Sequence, residues 1–256
     1  MKRAIFAFLG LILIIVCVWY VREKKKDDLI IDKPVYESEQ IEEPEENLPL
    51  QGKKICIDAG HGLNSYNKQE QIAPNSSETK NAFAKGTHGK NQTEEELNLT
   101  IALKLEKKLK ELGALVCMTR TTHECDMTNI DRAKFANELN VDISVKIHAD
   151  GVENTAAHGI SVLVPSNKYI KNNLLIDESR KAGELVLKEV VKITGAADRG
   201  TSTRSDLTGF NWSTVPIVLI EVGFMTNPEE DARLDTEEYQ DKIVDGIAQG
   251  LLNYFE

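Results

Sequence analysis

The sequence predicts a single α/β domain whose largely parallel sheet is covered by helices on both faces. Two observations carry this. Short apolar runs bounded by turn residues alternate with longer segments at helical spacing, the pattern of strands joined by helical crossovers. The chain's 256 residues, 41% hydrophobic, supply one substantial core and leave too few for a second full domain.

The first strand is KICID, from Lys54 to Asp58, and Ala59 leads from it into Gly60, His61 and Gly62. A polar segment rich in Asn, Ser, Lys and Gly then continues to Gln92, far longer than an ordinary connection. Its lack of apolar periodicity favours mobility. Thr93 opens a helix as N-cap, with Glu96 as its capping-box partner and Gly113 as terminator, and Leu97, Ile101, Leu105 and Leu112 recur at helical spacing. ALVCMTR follows as a strand, then a helix from Asn129 to Leu139 and a strand in DISVKIHAD. HGISVLVP is a further strand, Asn172 to Ile193 a long amphipathic helix, VPIVLIEVGF a buried strand, and Thr236 to Phe255 the closing helix.

The domain, residues 53–256, follows two segments of different composition. Residues 4–21, AIFAFLGLILIIVCVWYV, form an uncharged apolar run long enough to span a bilayer. A cleaved export signal has a shorter apolar part ending in small residues, whereas this one ends in Val18, Trp19, Tyr20 and Val21, so residues 1–22 read as a retained signal anchor. Val16 before Cys17 argues against lipidation of that cysteine. The basic group at Arg22, Lys24, Lys25 and Lys26 favours the opposite orientation, but Lys2 and Arg3 before the run also match the start of an export signal. Residues 23–52 are rich in Glu, Asp and Pro with few aromatics, too polar to offset the entropy of ordering, and read as a flexible linker. The expected location is therefore outside the cytoplasmic membrane, anchored to it, or secreted if the segment is cleaved.

A net charge of −10 excludes broad electrostatic binding to nucleic acid. Three cysteines lie outside the apolar run. Cys56 and Cys117 sit in strand-like segments as small buried hydrophobes, and without a Cys-x-x-Cys spacing neither a disulfide framework nor a thiolate zinc site is suggested.

In open α/β sheets ligands bind outside the carboxyl ends of the strands. His61 follows one strand here, while His148 and Glu221 fall toward the ends of two others. Glu94, at the start of the first helix, shares the inward face of Leu97 and Ile101, while Glu95 and Glu96 are rotated away. Two imidazoles and one carboxylate around an open fourth position form a catalytic zinc arrangement, which makes His61, Glu94 and His148 the candidate ligands. Glu221, an ionisable group after four apolar residues, is the candidate catalytic residue. The flanking Gly60 and Gly62 read as giving the backbone a sharp turn and room beside the imidazole. His88, His123 and His158 lie in loops and read as ordinary polar residues.

Together, IDAGHG, EEELNLTIALKL, the MTR at Met118 to Arg120, SVKIHAD and VPIVLIEVGFMTNPEED resemble the zinc-dependent N-acetylmuramoyl-L-alanine amidase catalytic domains of bacterial cell-wall hydrolases. The resemblance covers Lys53 to Glu256. It implies a six-stranded mixed sheet, a Zn²⁺ cofactor held by His61, Glu94 and His148, and catalysis by Glu221. It also implies peptidoglycan as substrate, with hydrolysis between the lactyl group of N-acetylmuramic acid and L-alanine of the stem peptide. Asp150 departs from the family, which commonly carries Asn there. An anchor, a linker and a catalytic domain without wall-binding repeats resemble the short membrane-associated amidases, including those of the spore cortex, and an activating protein partner is compatible with that setting. The alternatives are a zinc peptidase acting on another amide and a non-catalytic wall-binding module; a module without activity has no reason to retain all four groups.

Overall fold

Side chains alternate along a strand, so Ile55 and Ile57 stand on one face of β1 (Lys54–Ala59) while Cys56 and Asp58 stand on the other. A computed structural model describes residues 48–63 and 66–256 of the chain. In it β1 lies between β4 (Leu115–Met118) and β5 (Ile143–Asp150), followed by β8 (Ile217–Phe224), β6 (Ile160–Pro165) and β7 (Asp198–Arg204). The four strands from β4 to β8 run parallel; β6 is antiparallel to β8 and parallel to β7. The sheet is six-stranded, mixed and largely parallel, as the resemblance implied.

The face of Ile55 and Ile57 is apolar throughout. Val145, Ile147, Val162, Val164, Val218 and Ile220 join them, and α1 (Glu94–Glu111), α3 (Asn173–Thr194) and α6 (Glu237–Phe255) cover this layer with Leu97, Ile101, Val186, Val190, Ile243 and Ile247. α3 and α6 approach closely: a Cβ on Gly250 would lie 2.4 Å from the Val186 Cα. The opposite face is covered only in part. α2 (Asn129–Glu138) packs Ala136 on Cys56, and α4 (Thr208–Asn211) packs Phe210 on Leu163, Ile217 and Leu219. Toward the carboxyl ends of β1, β5 and β8 that face carries Asp58, Lys146, His148 and Glu221.

The helix starts are encoded locally. Thr93 with Glu96 and Thr128 with Asp131 each form a complete capping box, and Gly113 follows the first helix at φ 94°. Beyond the segment before Gln92, three elements escape the sequence patterns: β7, which is polar; the one-turn α4; and α5 (Pro228–Leu234), which begins at an Asn227 cap.

From residue 66 to Gln92 the segment is ordered, contrary to the expectation of mobility. β2 (Gln69–Gln71) and β3 (Thr79–Asn81) form an antiparallel hairpin within it. Trp212 donates its indole N–H to Gln71 O at 2.9 Å, Asn211 donates to Ile72 O at 3.0 Å, and Asn129 donates to the buried Glu70 carboxylate at 2.7 Å. Its order comes from hydrogen bonds to α2 and α4 rather than from an apolar stripe of its own, so periodicity carries no trace of it.

The apolar run at 4–21 and the linker up to residue 47 lie outside the described residues. Among the described residues no helix is long and apolar enough to cross a membrane. The last residues of the expected linker do pack: Leu50 is fully buried and its N–H donates to Leu112 O at 2.8 Å, at the end of α1.

Candidate metal centre

His61 itself adopts a left-handed backbone, at φ 59°, while its two glycine neighbours keep ordinary conformations. The glycines therefore serve by leaving space: a Cβ on Gly60 would lie 2.4 Å from the His148 ring, and one on Gly62 2.9 Å from the Cys125 Cβ. A left-handed non-glycine residue costs roughly 1–2 kcal/mol. Two arginines offset that cost by gripping the turn's carbonyls. Arg120 donates to Ala59 O and Gly60 O, both at 2.9 Å, and Arg132 donates to Ala59 O at 2.9 Å and to His61 O at 2.5 Å.

Arg132 is held in turn by a buried anion. Asp58 accepts from Arg132 at 2.6 Å, from Thr119 at 2.6 Å and from Lys146. Burial pushes the Asp58 pKa up, but the Lys146 and Arg132 charges outweigh it and hold the carboxyl well below the usual value. Sequence reasoning missed Asp58, Arg120 and Arg132 as supports of the site. The signal was present, since Lys146 is a charge within a buried strand and needs a buried partner.

Glu94 is 4% exposed at the start of α1, and its Oε1 lies 3.0 Å from both His61 Nε2 and His148 Nδ1. The two rings meet edge to face with centroids 4.8 Å apart. His61 donates its Nδ1–H to Ala84 O at 2.7 Å, which fixes the tautomer and leaves the Nε2 lone pair facing Glu94. The carboxylate is oriented in turn: Thr87 N donates to Oε2 at 2.9 Å, and Ala149 N and the Asn98 amide donate to Oε1 at 3.2 and 3.3 Å. Burial opposes ionisation of Glu94, yet the two histidines hold its pKa well below the usual range. Burial also pulls His148 down to about 4, which keeps that ring neutral and its lone pair available. For His61 burial lowers the pKa, but the Glu94 hydrogen bond and charge together with the Ala84 carbonyl outweigh it, and the pKa is raised.

Two imidazole nitrogens and one carboxylate oxygen all within 4.8 Å of one another can hold a metal ion, and the donor set suits a divalent cation of borderline softness. Glu221 pairs in register with His148 across β5 and β8. It is half-buried, and its Oε2 is enclosed without a hydrogen-bond partner among the described residues. Burial foremost, then the Glu94 and Asp150 charges, push its pKa well above the ordinary carboxylate value against the opposing Arg204. The other histidines stay apart, as expected: His123 pairs with Glu95 at 3.1 Å and His158 donates to Ala156 O at 3.0 Å.

A family model described as N-acetylmuramoyl-L-alanine amidase matches residues 55–253. The chain belongs to this family. The germination-specific N-acetylmuramoyl-L-alanine amidase of Bacillus subtilis is 27% identical, over 82% of this chain and 82% of its own length. The crystal structure of an N-acetylmuramoyl-L-alanine amidase from Clostridium difficile is 31% identical with a TM-score of 0.66, covering 80% of this chain and 97% of that one. The amidase Ami1 of Mycobacterium smegmatis is 26% identical with a TM-score of 0.74, over 80% and 98% of the two chains.

In this amidase the hairpin segment walls the candidate site. Ala82, Phe83 and Ala84 line a cavity together with His61, His148, Arg132 and Lys146. Gly86 lets the segment touch the carboxylate, since a Cβ there would lie 2.6 Å from Glu94 Oε2. Asp150, the departure from the family pattern, accepts from its neighbour Gly151 N at 2.8 Å and leaves the ligand positions undisturbed.

Proposed function

We propose that the chain is a peptidoglycan hydrolase that cleaves the amide between N-acetylmuramic acid and L-alanine, with Zn²⁺ held by His61, Glu94 and His148 and Glu221 as its general acid–base residue. The observation that carries this reading is the single carboxylate oxygen of Glu94 at 3.0 Å from a nitrogen of each histidine. When bound, zinc supplies Lewis acidity toward an amide carbonyl and brings the pKa of water toward about 7. One carboxylate and two neutral imidazoles leave the site net positive, suited to a developing oxyanion. Glu221 supplies the proton traffic: it takes a proton from the attacking water and returns it to the departing amine. Its Oε2, without a hydrogen-bond partner among the described residues, and its raised proton affinity support that assignment. Arg120 and Arg132 keep His61 in its strained turn, and Asp58 keeps Arg132 and Lys146 in place.

The wider reading has residues 1–22 as a membrane anchor, 23–52 as a tether and 53–256 as the catalytic domain, acting outside the cytoplasmic membrane. Similarity to the germination-specific amidase supports a role at the spore cortex. The test is mass analysis of muropeptides after digestion with the purified chain, with and without a chelator. New L-alanine amino termini without new reducing sugar ends are expected, and their loss with chelator. New reducing ends, or chelator-resistant cleavage, would reject the reading. Activity of the isolated chain would also reject any need for an activating partner.

A further inference from the structure

Cys56 and Cys117 are direct partners in the parallel pairing of β1 with β4, and both side chains stand on the face that α2 covers. Registered Cα atoms on neighbouring strands lie about 4.8 Å apart, within the span of about 4.4–6.8 Å that a disulfide bridges. Neither thiol has a part in the chemistry above. Cys56 is buried, while Cys117 is half-buried and lines a surface groove with Leu115, Val116, Leu139 and Val141. One member of the pair thus meets solvent and the other stands behind it.

We propose that Cys56 and Cys117 form a reversible disulfide that staples the edge strand β4 to β1. The Cys117 thiolate attacks a low-molecular-weight disulfide such as oxidised glutathione, forming a mixed disulfide and releasing one thiol. Cys56 then attacks the Cys117 sulfur, closing the intramolecular bond and releasing the second thiol. The two protein thiols give up two electrons and two protons, and the oxidant becomes two thiols. The pair is graded for this order. Its hydrogen bond with Cys56 holds the Cys117 pKa below the usual thiol value, and the same contact and burial push Cys56 up. Closing the bond brings the Cβ atoms to about 3.8 Å, and the half-buried Cys117 sulfur in its surface groove leaves the bond open to attack by a reducing thiol. The staple ties together two segments that meet at the metal centre, since β1 leads to His61 and β4 leads to Arg120, which grips the carbonyls of Ala59 and Gly60.

The experiment treats the folded full-length chain with oxidised glutathione, blocks residual thiols with iodoacetamide, and maps unreduced tryptic peptides. Trypsin places Cys17 in 4–22, Cys56 in 55–68, Cys117 in 111–120 and Cys125 in 121–132, so every pairing is distinguishable. The expected product joins 55–68 to 111–120, lighter by two hydrogens than the separate peptides and released by dithiothreitol. Cys56→Ser should leave Cys117 carrying a single glutathione, and Cys125→Ser should leave the link intact, each with unchanged circular dichroism. Alkylation of both cysteines in the oxidised wild-type chain, separate glutathione adducts on them, or a Cys117–Cys125 link would each overturn the proposal.

Discussion

His148 and Glu221 are partners across β5 and β8, yet they meet different fates: His148 turns to Glu94 at 3.0 Å, while Glu221 keeps one oxygen enclosed and without a hydrogen-bond partner among the described residues. Two adjacent positions of one sheet face thus divide into a group that can hold a cation and a group that can move a proton. This division yields the first test. Glu221→Gln should retain bound zinc while losing about 100- to 10,000-fold in turnover, the usual span for a general acid–base residue. Metal analysis beside a muropeptide-release assay measures both, and near-normal turnover would remove Glu221 from the mechanism.

Glu94→Ala should instead lose the metal. The carboxylate lies 3.0 Å from a nitrogen of each histidine, and its loss leaves two neutral rings without this anionic donor. Zinc per chain after dialysis should fall from about one equivalent to a small fraction, by the ligand count such sites require. A variant that keeps stoichiometric zinc would exclude Glu94 as a ligand.

Gly60→Ala tests the role of space. The added methyl would stand 2.4 Å from the His148 ring, so the ring must move off the Glu94 oxygen. Metal content and activity should drop together while far-ultraviolet circular dichroism stays unchanged. Full activity would mean the ring has room to give.

Asp58 links stability to pH. Its folded pKa lies well below the usual value of 3.8, so its stabilisation is fully present above that value and erodes as pH falls below it. Urea unfolding from pH 7 to pH 3 should reveal a steep loss below about pH 4, flattened in Asp58→Asn, where this titration is absent. At neutral pH, Asp58→Ala leaves Arg132 and Lys146 buried without their anion and should cost about 3–5 kcal/mol. An unchanged urea midpoint would mean that the network is neutral to stability.

The sequence by itself determined the elements whose signals are local. Thr93 with Glu96 marks a helix start through groups three residues apart, and Gly113 marks its end. VPIVLIEVGF reads as a buried strand because every residue up to Glu221 is apolar. His61, His148 and Glu221 were legible as candidates because ionisable groups toward the carboxyl ends of strands interrupt patterns that are otherwise regular, and Glu94 because it opens a helix on the face of Leu97 and Ile101. The tertiary structure decided what depends on distance. The segment before Gln92 has no periodic face, and its order follows from bonds to Trp212, Asn211 and Asn129, residues that no local rule pairs with it. The left-handed turn at His61 is likewise not written in its own residues. It persists because Arg120 and Arg132, brought in from β4's end and α2, bind carbonyls that would otherwise favour a relaxed backbone, and only packing can set such contacts.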